Sequence, residues 1–214
     1  MKQDLREQLC SLSKRRCKLK VIQQGSSTAV IVIHEIYGLN RHMKDFCKSL
    51  GEQGFDVFCP DLLGRPAFDY AEEQEAYRHF MDCVGFSRAK HKVDDVIGNV
   101  RTAYEKVVIV GFSIGATVAW LCSEDGRVDG VVGYYGSRIR QFLELEPSCP
   151  VLLFFPRKEP SFDVTELLLA LRKKNVSCFQ FEGDHGFSDP YWDRFDEMSS
   201  QEAFFEMSRF IREI

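Results

Sequence analysis

The sequence predicts an α/β fold, with a mostly parallel central sheet and helices on both of its faces. Residues 29–35 and 107–112 are continuous apolar runs, as expected of strands that are covered on both sides. Helical segments lie between such runs, and strands that alternate with helices form parallel sheets through right-handed crossovers. The 214 residues fit one domain, which we expect to span residues 1–214.

The elements alternate along the chain, with strands in the apolar runs and helices in the amphipathic or charged segments. The strand candidates are 17–24 at a sheet edge, followed by 29–35, 56–61, 107–112, 128–136, 151–156 and 177–183. The helix candidates are 40–52, most of 70–105 with a break around Val84 and Gly85, 114–123, 164–174 and 200–213. Residues 65–106 form a helical excursion between two strands, where structure that shapes a substrate is expected. Residues 1–20 form a polar N-terminal segment to which the sequence assigns no role.

Composition and charge argue against several classes of function. The formal net charge of −4 makes nucleic acid an unexpected partner. No apolar run approaches the ~18 residues of a membrane span, and the N-terminus lacks the apolar core of a secretory signal. The eight cysteines are spread evenly without a C-x-x-C pair, which favours reduced thiols in a cytoplasmic protein. The five histidines show no H-x-x-x-H spacing, so no metal site is expected.

A candidate nucleophile lies where the strand at 107–112 runs into the next helix. The sequence there is GFSIG, in which Gly111 and Gly115 flank Ser113 two residues away on each side. Between a strand and a helix, this G-x-S-x-G pattern is typical of a strained turn that exposes a serine hydroxyl above the sheet. Side chains at the two flanking positions would collide with the turn, which explains the glycines. The alternative interpretation is a tight turn without a catalytic role.

A serine nucleophile needs a base and an acid that orients the base, in the chain order serine, acid, histidine. His185 is the only histidine after Ser113, and it follows the last strand candidate. Glu159 lies just beyond the sixth strand candidate and is the favoured acid. Asp163 is the alternative acid, although the stretch DVTE that it opens has the pattern of a helix capping box. Asp184 is a weaker third candidate, because side chains adjacent in sequence rarely face each other.

Several segments taken together resemble one enzyme family. They are AVIVIHEIYGLN, FDVFCPDLLGR, GFSIG, VVGYYG, PVLLFFPRKE and GDHGF. Through these segments the chain resembles the dienelactone hydrolases, a family with the α/β-hydrolase fold. The resemblance covers residues 25–212. The resemblance implies an oxyanion hole made by the backbone N–H groups of Ile36 and Ile114, and a Glu35 that lies beside the nucleophile. His34 is expected to be structural and to tie the end of its strand to a loop.

Three departures from the family pattern bear on chemistry and substrate. Ser113 replaces the family's cysteine nucleophile and Glu159 replaces its aspartate, and both exchanges are compatible with ordinary ester hydrolysis. Asp189 stands where family members hold a substrate carboxylate with an arginine, so a carboxylated dienelactone is not the expected substrate. Arg78 and Arg138 are expected to be surface arginines rather than replacements for that cation.

The sequence therefore predicts a cytoplasmic serine hydrolase that cleaves a small carboxylic ester or lactone without a cofactor. Tyr191 and Trp192, in the loop after His185, are candidates for the rim of the substrate pocket. The expected partner is the small-molecule substrate, with no nucleic acid and no membrane, and the protein is expected to be a monomer or a homodimer. Two alternatives stay open: a binding protein whose triad is non-productive, and an acyl transferase or C–C hydrolase on the same scaffold.

Overall fold

The computed structural model describes residues 19–157, 159 and 162–214. Its centre is a seven-stranded sheet in the order β1-β3-β2-β4-β5-β6-β7. Strand β1 pairs antiparallel with β3, and the other five pairings are parallel, as predicted. The strands are β1 (Leu19–Ile22), β2 (Thr28–Ile33), β3 (Asp56–Pro60), β4 (Lys106–Phe112), β5 (Gly130–Tyr134), β6 (Val151–Pro156) and β7 (Val176–Phe181). Most of the N-terminal segment 1–20 lies outside the described residues.

The helices fall where the sequence predicts them, with differences at their ends. They are α1 (Arg41–Glu52), α2 (Glu73–His79), α3 (Gly85–Arg101), α4 (Ile114–Leu121), α5 (Val164–Leu171) and α6 (Glu197–Glu213). Short 3₁₀ turns cover Tyr70–Glu72 and Ser137–Gln141, and a π-helical turn covers Phe80–Val84. The predicted break at Gly85 is confirmed, since that residue has a φ of 69°. None of these helices in the described part of the chain has the length and apolarity that crossing a membrane requires.

Helix α6 begins three residues earlier than the sequence predicts. Asp196 is the reason, because its side chain accepts a hydrogen bond from the Ser199 N–H at 2.8 Å and so caps the helix. Helix α5 ends at Leu171 rather than at residue 174, and the backbone N–H of Arg172 closes its last turn onto the Leu168 carbonyl at 3.0 Å.

The two faces of the sheet are covered by different helices, as the predicted fold class requires. Successive residues of a strand point to opposite faces, so Ile109 of β4 contributes to one core and Val110 to the other. Helices α3, α4 and α5 supply side chains to the Ile109 core, and helices α1 and α6 supply them to the Val110 core. The central strands β2 and β4 are thereby buried on both sides.

The carboxyl ends of the parallel strands meet at one edge of the sheet, which is where α/β sheets place their ligand sites. Ser113 follows β4 directly, and His185 follows β7. His34, at the end of β2, fits the structural role expected of it. Its Nδ1–H donates to the Glu35 carbonyl at 2.6 Å, and its Nε2 accepts from the Leu62 N–H at 2.9 Å. Burial lowers the pKa of His34, so the neutral ring that these two bonds require is favoured.

Candidate active site

Ser113 occupies a sharp turn between β4 and α4. Its φ of 52° and ψ of −112° are unusual for a residue with a side chain, and such strain collects at functional sites. The turn is held by its neighbours: the Ser113 N–H donates to the Tyr134 carbonyl at 2.9 Å, and the Ser113 carbonyl accepts from the Ala116 N–H at 3.1 Å. Strand, turn and helix thus follow one another as the sequence pattern predicts.

The two flanking glycines are required by close backbone approach. A Cβ atom at Gly115 would lie 2.4 Å from the carbonyl oxygen of Ile33, in the neighbouring strand β2. A Cβ atom at Gly111 would lie 2.2 Å from the carbonyl oxygen of Gly115. Both contacts are with main-chain atoms, which cannot rotate away as the end of a side chain can. The two glycines therefore allow the first turn of α4 to pack closely against the ends of β2 and β4.

The variant Gly115→Ala is expected to lower the free energy of unfolding by about 1–3 kcal/mol or more, because the added methyl group forces β2 and α4 apart. Urea denaturation followed by circular dichroism would measure this loss. Gly126→Ala is the matched control, since a Cβ atom there would meet no atom within 4 Å. Equal stability of the two variants would contradict the steric explanation of the turn.

The structure brings Ser113, His185 and Glu159 together in one hydrogen-bonded line. Ser113 Oγ lies 2.9 Å from His185 Nε2, and His185 Nδ1 lies 2.7 Å from Glu159 Oε2. The side chains of His185 and Glu159 are 16% and 6% exposed, so bulk water reaches this line poorly. Tyr135, which the sequence reasoning missed, packs against His185 with a ring-centre distance of 5.0 Å.

The alternative acids lie elsewhere. Asp163 is exposed, and its carboxylate accepts from the Thr165 N–H at 2.8 Å, which makes it the N-cap of α5. Asp184 is exposed as well, next to His185 in the chain. The carboxylate that meets the imidazole Nδ1 is that of Glu159.

A cavity of about 350 Å³ opens above Ser113. Ile36 and Ile114, whose N–H groups are the expected oxyanion donors, both line it. Ile114 is the first residue of α4, and the first N–H groups of a helix have no partner within the helix. Ile36 lies in a turn that the Gly38 N–H closes onto the Glu35 carbonyl at 3.2 Å. Two residues from separate segments, one after β2 and one at the start of α4, therefore border the space beside Ser113.

Arginines line this cavity to an extent that the sequence reasoning missed. Arg138 was expected at the surface, but it lies half-buried in the cavity wall and donates to the Tyr77 hydroxyl. The reason is its place in the 3₁₀ turn after β5, at the carboxyl edge of the sheet. Arg140 and Arg194 also line the cavity, and burial together with the nearby Arg138 lowers the pKa of Arg140. Arg78 is exposed, as expected.

The two aromatic residues predicted at the pocket rim point in different directions. Trp192 lines the cavity and stacks on Tyr70, with ring centres 5.9 Å apart. The prediction for Tyr191 is wrong, because its hydroxyl donates to Asp45 Oδ2 at 2.5 Å on the outer surface. Both residues follow a turn at Asp189, whose carboxylate accepts from the Tyr191 N–H at 2.9 Å.

A buried charge cluster lies behind the cavity wall. His42 Nδ1 is 3.1 Å from Glu35 Oε1 and 3.4 Å from Asp189 Oδ2, and Asp189 also accepts from the Tyr70 hydroxyl at 2.5 Å. Burial alone would lower the pKa of His42, but hydrogen bonds to Asp189 and Glu35 outweigh it and raise this pKa to about 9. Burial would raise the pKa of Asp189, and the hydrogen bond from His42 reverses this and lowers it.

This cluster gives Glu35 and Asp189 their hydrogen-bond partners. Glu35 lines the cavity, yet its carboxylate is hydrogen-bonded to His42, while Ser113 Oγ is paired with His185. Asp189 is fully buried and stabilises the loop after β7. The ligand atoms of Glu35, His42 and Asp189 lie within 4.8 Å of one another, a spacing that could hold a metal ion. A protonated His42 already supplies one positive charge to this cluster, beside both carboxylates.

Comparison with known proteins finds relatives of the chain. The sequence model of the dienelactone hydrolase family matches residues 19–214. The protein YczH of Bacillus subtilis (strain 168) is 44% identical over 165 residues, which cover 75% of this chain and 81% of YczH. A carboxymethylenebutenolidase of Pseudomonas putida is 30% identical over 134 residues, which cover 58% of this chain and 56% of that protein.

A solved structure shares the fold. It is a dienelactone hydrolase-like promiscuous phosphotriesterase from metagenomic libraries, which superposes with a TM-score of 0.69 at 16% identity. The superposition covers 92% of this chain and 98% of the other. At this level of identity the likeness concerns the fold, and it confirms the α/β-hydrolase architecture.

Proposed function

This chain belongs to the dienelactone hydrolase family, and on that premise we propose that it cleaves a small carboxylic ester or lactone with Ser113 as its nucleophile. His185 acts as the general base and Glu159 as the acid that orients the imidazole. The family and the named relatives indicate an enzyme that hydrolyses ester bonds. The roles of the three residues and the class of substrate are what we add to this as a proposal. The observation that carries it is the hydrogen-bonded line from Ser113 Oγ through His185 to Glu159.

The proposed reaction proceeds in two halves. Ser113 Oγ attacks the carbonyl carbon while His185 Nε2 accepts the hydroxyl proton, and His185 then gives that proton to the leaving oxygen. Water attacks the resulting acyl-serine with His185 again as the base. The N–H groups of Ile36 and Ile114 stabilise the negative oxygen of each tetrahedral intermediate. Glu159 holds the tautomer in which Nδ1 carries the proton and stabilises the imidazolium that forms.

The cavity supports a small substrate without net charge. Its lining combines three arginines with three glutamates, so the two signs balance: Arg138, Arg140, Arg194, Glu35, Glu73 and Glu159. Trp192 and Tyr37 add aromatic surface against which an acyl or alcohol group can pack. A volume of about 350 Å³ suits a short-chain or single-ring ester or lactone.

The variant Glu159→Gln is expected to lower kcat for a short-chain p-nitrophenyl ester by about 10⁴-fold, because an amide favours the wrong tautomer of the imidazole. Initial rates at saturating ester would measure the effect. Asp163→Asn is the matched control and should keep nearly all activity, because asparagine also caps a helix. A loss in Asp163→Asn with full activity in Glu159→Gln would reverse the assignment of the acid.

A fluorophosphonate probe separates the proposal from its alternatives. A hydrolase should be labelled at Ser113, as peptide mass spectrometry would show, whereas a binding protein with a non-productive triad should not. Product analysis with a competing alcohol would identify an acyl transferase by the new ester.

We further propose a cytoplasmic protein that works as a monomer or homodimer. The support for a reducing compartment is the set of free thiols: Cys47, Cys83, Cys122, Cys149 and Cys178.

A further inference from the structure

Two residues other than glycine have a positive φ in the part of the chain that the structure describes: Ser113, at 52°, and Tyr135, at 42°. They are neighbours in the sheet. Phe112 of β4 pairs with Tyr134 of β5, and each strained residue directly follows one member of that pair. A bulky side chain in this region of φ is an outlier that persists only where the surroundings hold it. The proposed nucleophile accounts for the strain at Ser113, and the strain at Tyr135 needs a separate explanation.

The positive φ brings the Tyr135 side chain to the same face of the sheet as the residue before it. In a regular strand successive side chains point to opposite faces, but Tyr134 and Tyr135 both lie in the Val110 core. Two main-chain hydrogen bonds hold this backbone. The Tyr135 N–H donates to the Phe154 carbonyl at 2.7 Å, and the Tyr135 carbonyl accepts from the Ser137 N–H at 2.9 Å. The strained turn therefore fixes the side of the sheet that receives the buried Tyr135 ring.

On that side the Tyr135 side chain contacts three residues of the loop after β7. Its ring centre lies 5.0 Å from that of His185 and 5.4 Å from that of Phe187, distances typical of aromatic contacts. Its hydroxyl lies 2.8 Å from Ser188 Oγ, within hydrogen-bond distance. Among the residues that the structure describes, Tyr135 is not one of those that line the cavity at Ser113. Any effect of Tyr135 on the reaction must therefore pass through the loop rather than through contact with a substrate.

The imidazole of His185 needs more than its two hydrogen bonds to stay in place. One ring nitrogen is bonded to Ser113 and the other to Glu159. Hydrogen bonds at ring nitrogens lie near the plane of the imidazole, so they leave the ring able to tilt about the line between its two partners. The Tyr135 ring lies beside the imidazole at an interplanar angle of 52°. It limits this tilt, because in a close-packed interior neither ring can move without displacing the other.

We propose that Tyr135 is a positioning residue for His185, an inference that rests on the proposed function. The ring keeps His185 Nε2 directed at Ser113 Oγ, and the hydroxyl holds the following loop at Ser188. The strained backbone is the means by which the chain brings the ring to the imidazole. A reacting group displaced by about 1 Å can cost about 100-fold in rate, so the loss of this contact should be measurable.

The first test replaces the ring. Tyr135→Leu is expected to lower kcat for a short-chain p-nitrophenyl ester about 100-fold and to leave KM within about twofold, because both halves of the reaction use His185. Tyr135→Phe keeps the ring and should stay within about fivefold of the parent kcat. Phe58→Leu is the matched control, since Phe58 is fully buried in β3 and its ring contacts Tyr104. It should lower the unfolding temperature but keep kcat. A parent-like kcat in Tyr135→Leu, or an equal loss in Phe58→Leu, would overturn the proposal.

The second test uses the hydroxyl and remains valid if Tyr135→Leu folds poorly. Tyr135→Phe and Ser188→Ala should each lower kcat about fivefold, and the double variant should also lose only about fivefold, because both changes remove the same bond. Losses that multiply to about 25-fold, or parent-like rates in both single variants, would overturn the proposal. Ser113→Ala separates this inference from the function on which it rests. Turnover in that variant would refute the nucleophile, whereas an inactive Ser113→Ala leaves the outcomes above to decide on Tyr135 alone.

Discussion

Replacing Ser113 by alanine is expected to lower kcat/KM for a short-chain p-nitrophenyl ester by about 10⁴–10⁶-fold. The hydroxyl at 2.9 Å from His185 Nε2 is the only group in this line that can form the acyl intermediate. Without it, the proposed oxyanion donors and the base can act only on water. Initial-rate kinetics over a range of ester concentrations, together with loss of fluorophosphonate labelling, would measure the change.

Ser137→Ala is the matched control for this prediction. Ser137 lines the same cavity, but the hydroxyl that meets His185 is that of Ser113. Most of the activity should therefore survive, and thermal unfolding should show that both variants are folded. Turnover that persists in Ser113→Ala would refute the assignment of the nucleophile and leave the GFSIG turn with a structural role only.

The stability of the protein is expected to fall by up to about 3 kcal/mol as the pH rises from 6.5 to 9. The pKa of His42 is near 6.5 in an unfolded chain and about 9 in the folded protein, so between these values the folded state binds the extra proton. Stabilisation by the charged imidazole is complete below pH 6.5 and disappears as the pH passes 9. Asp189 contributes at acid pH instead. Its pKa is lowered in the folded protein, so the stabilisation that its charged carboxylate provides is lost when the pH falls far enough to protonate it.

Urea midpoints measured across this pH range would test the prediction. His91→Gln is the control, since His91 is exposed, and it should keep the full pH dependence. His42→Gln should be less stable at pH 6.5, because it leaves two carboxylates buried without their cation, and its stability should vary little between pH 6.5 and 9. An unchanged slope in His42→Gln would assign the pH dependence to another group.

The proposed triad could be found from sequence because each member carries a short-range signal. Ser113 stands in a five-residue turn pattern, His185 is the sole histidine after it, and Glu159 closely follows a strongly apolar strand. The capping pattern that assigned Asp163 to a helix start also helped to separate the two acids. The same local rules predicted the alternation of strands and helices, because strands buried on both faces are unmistakably apolar.

The rest of the site depends on contacts between distant parts of the chain. Arg138 and Arg140 reach the cavity only because the turn after β5 lies at the carboxyl edge of the sheet. His42 looks like an ordinary helix residue until the fold sets it beside Asp189, which is 147 positions later in the chain. Nothing in the local sequence of Tyr191 and Trp192 indicates that Trp192 lines the cavity while the Tyr191 hydroxyl bonds to Asp45.

The close approach at the GFSIG turn also bears on how this enzyme could be redesigned. Gly111 and Gly115 are fixed by main-chain atoms, so the position of the serine hydroxyl cannot be adjusted by small substitutions around it. The cavity wall is built from side chains on separate loops, and these can be exchanged without touching the turn. If Ser113 is the nucleophile as proposed, a library aimed at new substrates should vary wall positions such as Arg138, Arg140 and Trp192 and leave the turn intact, because the proposed reacting centre and the wall that would select substrates belong to independent parts of the molecule.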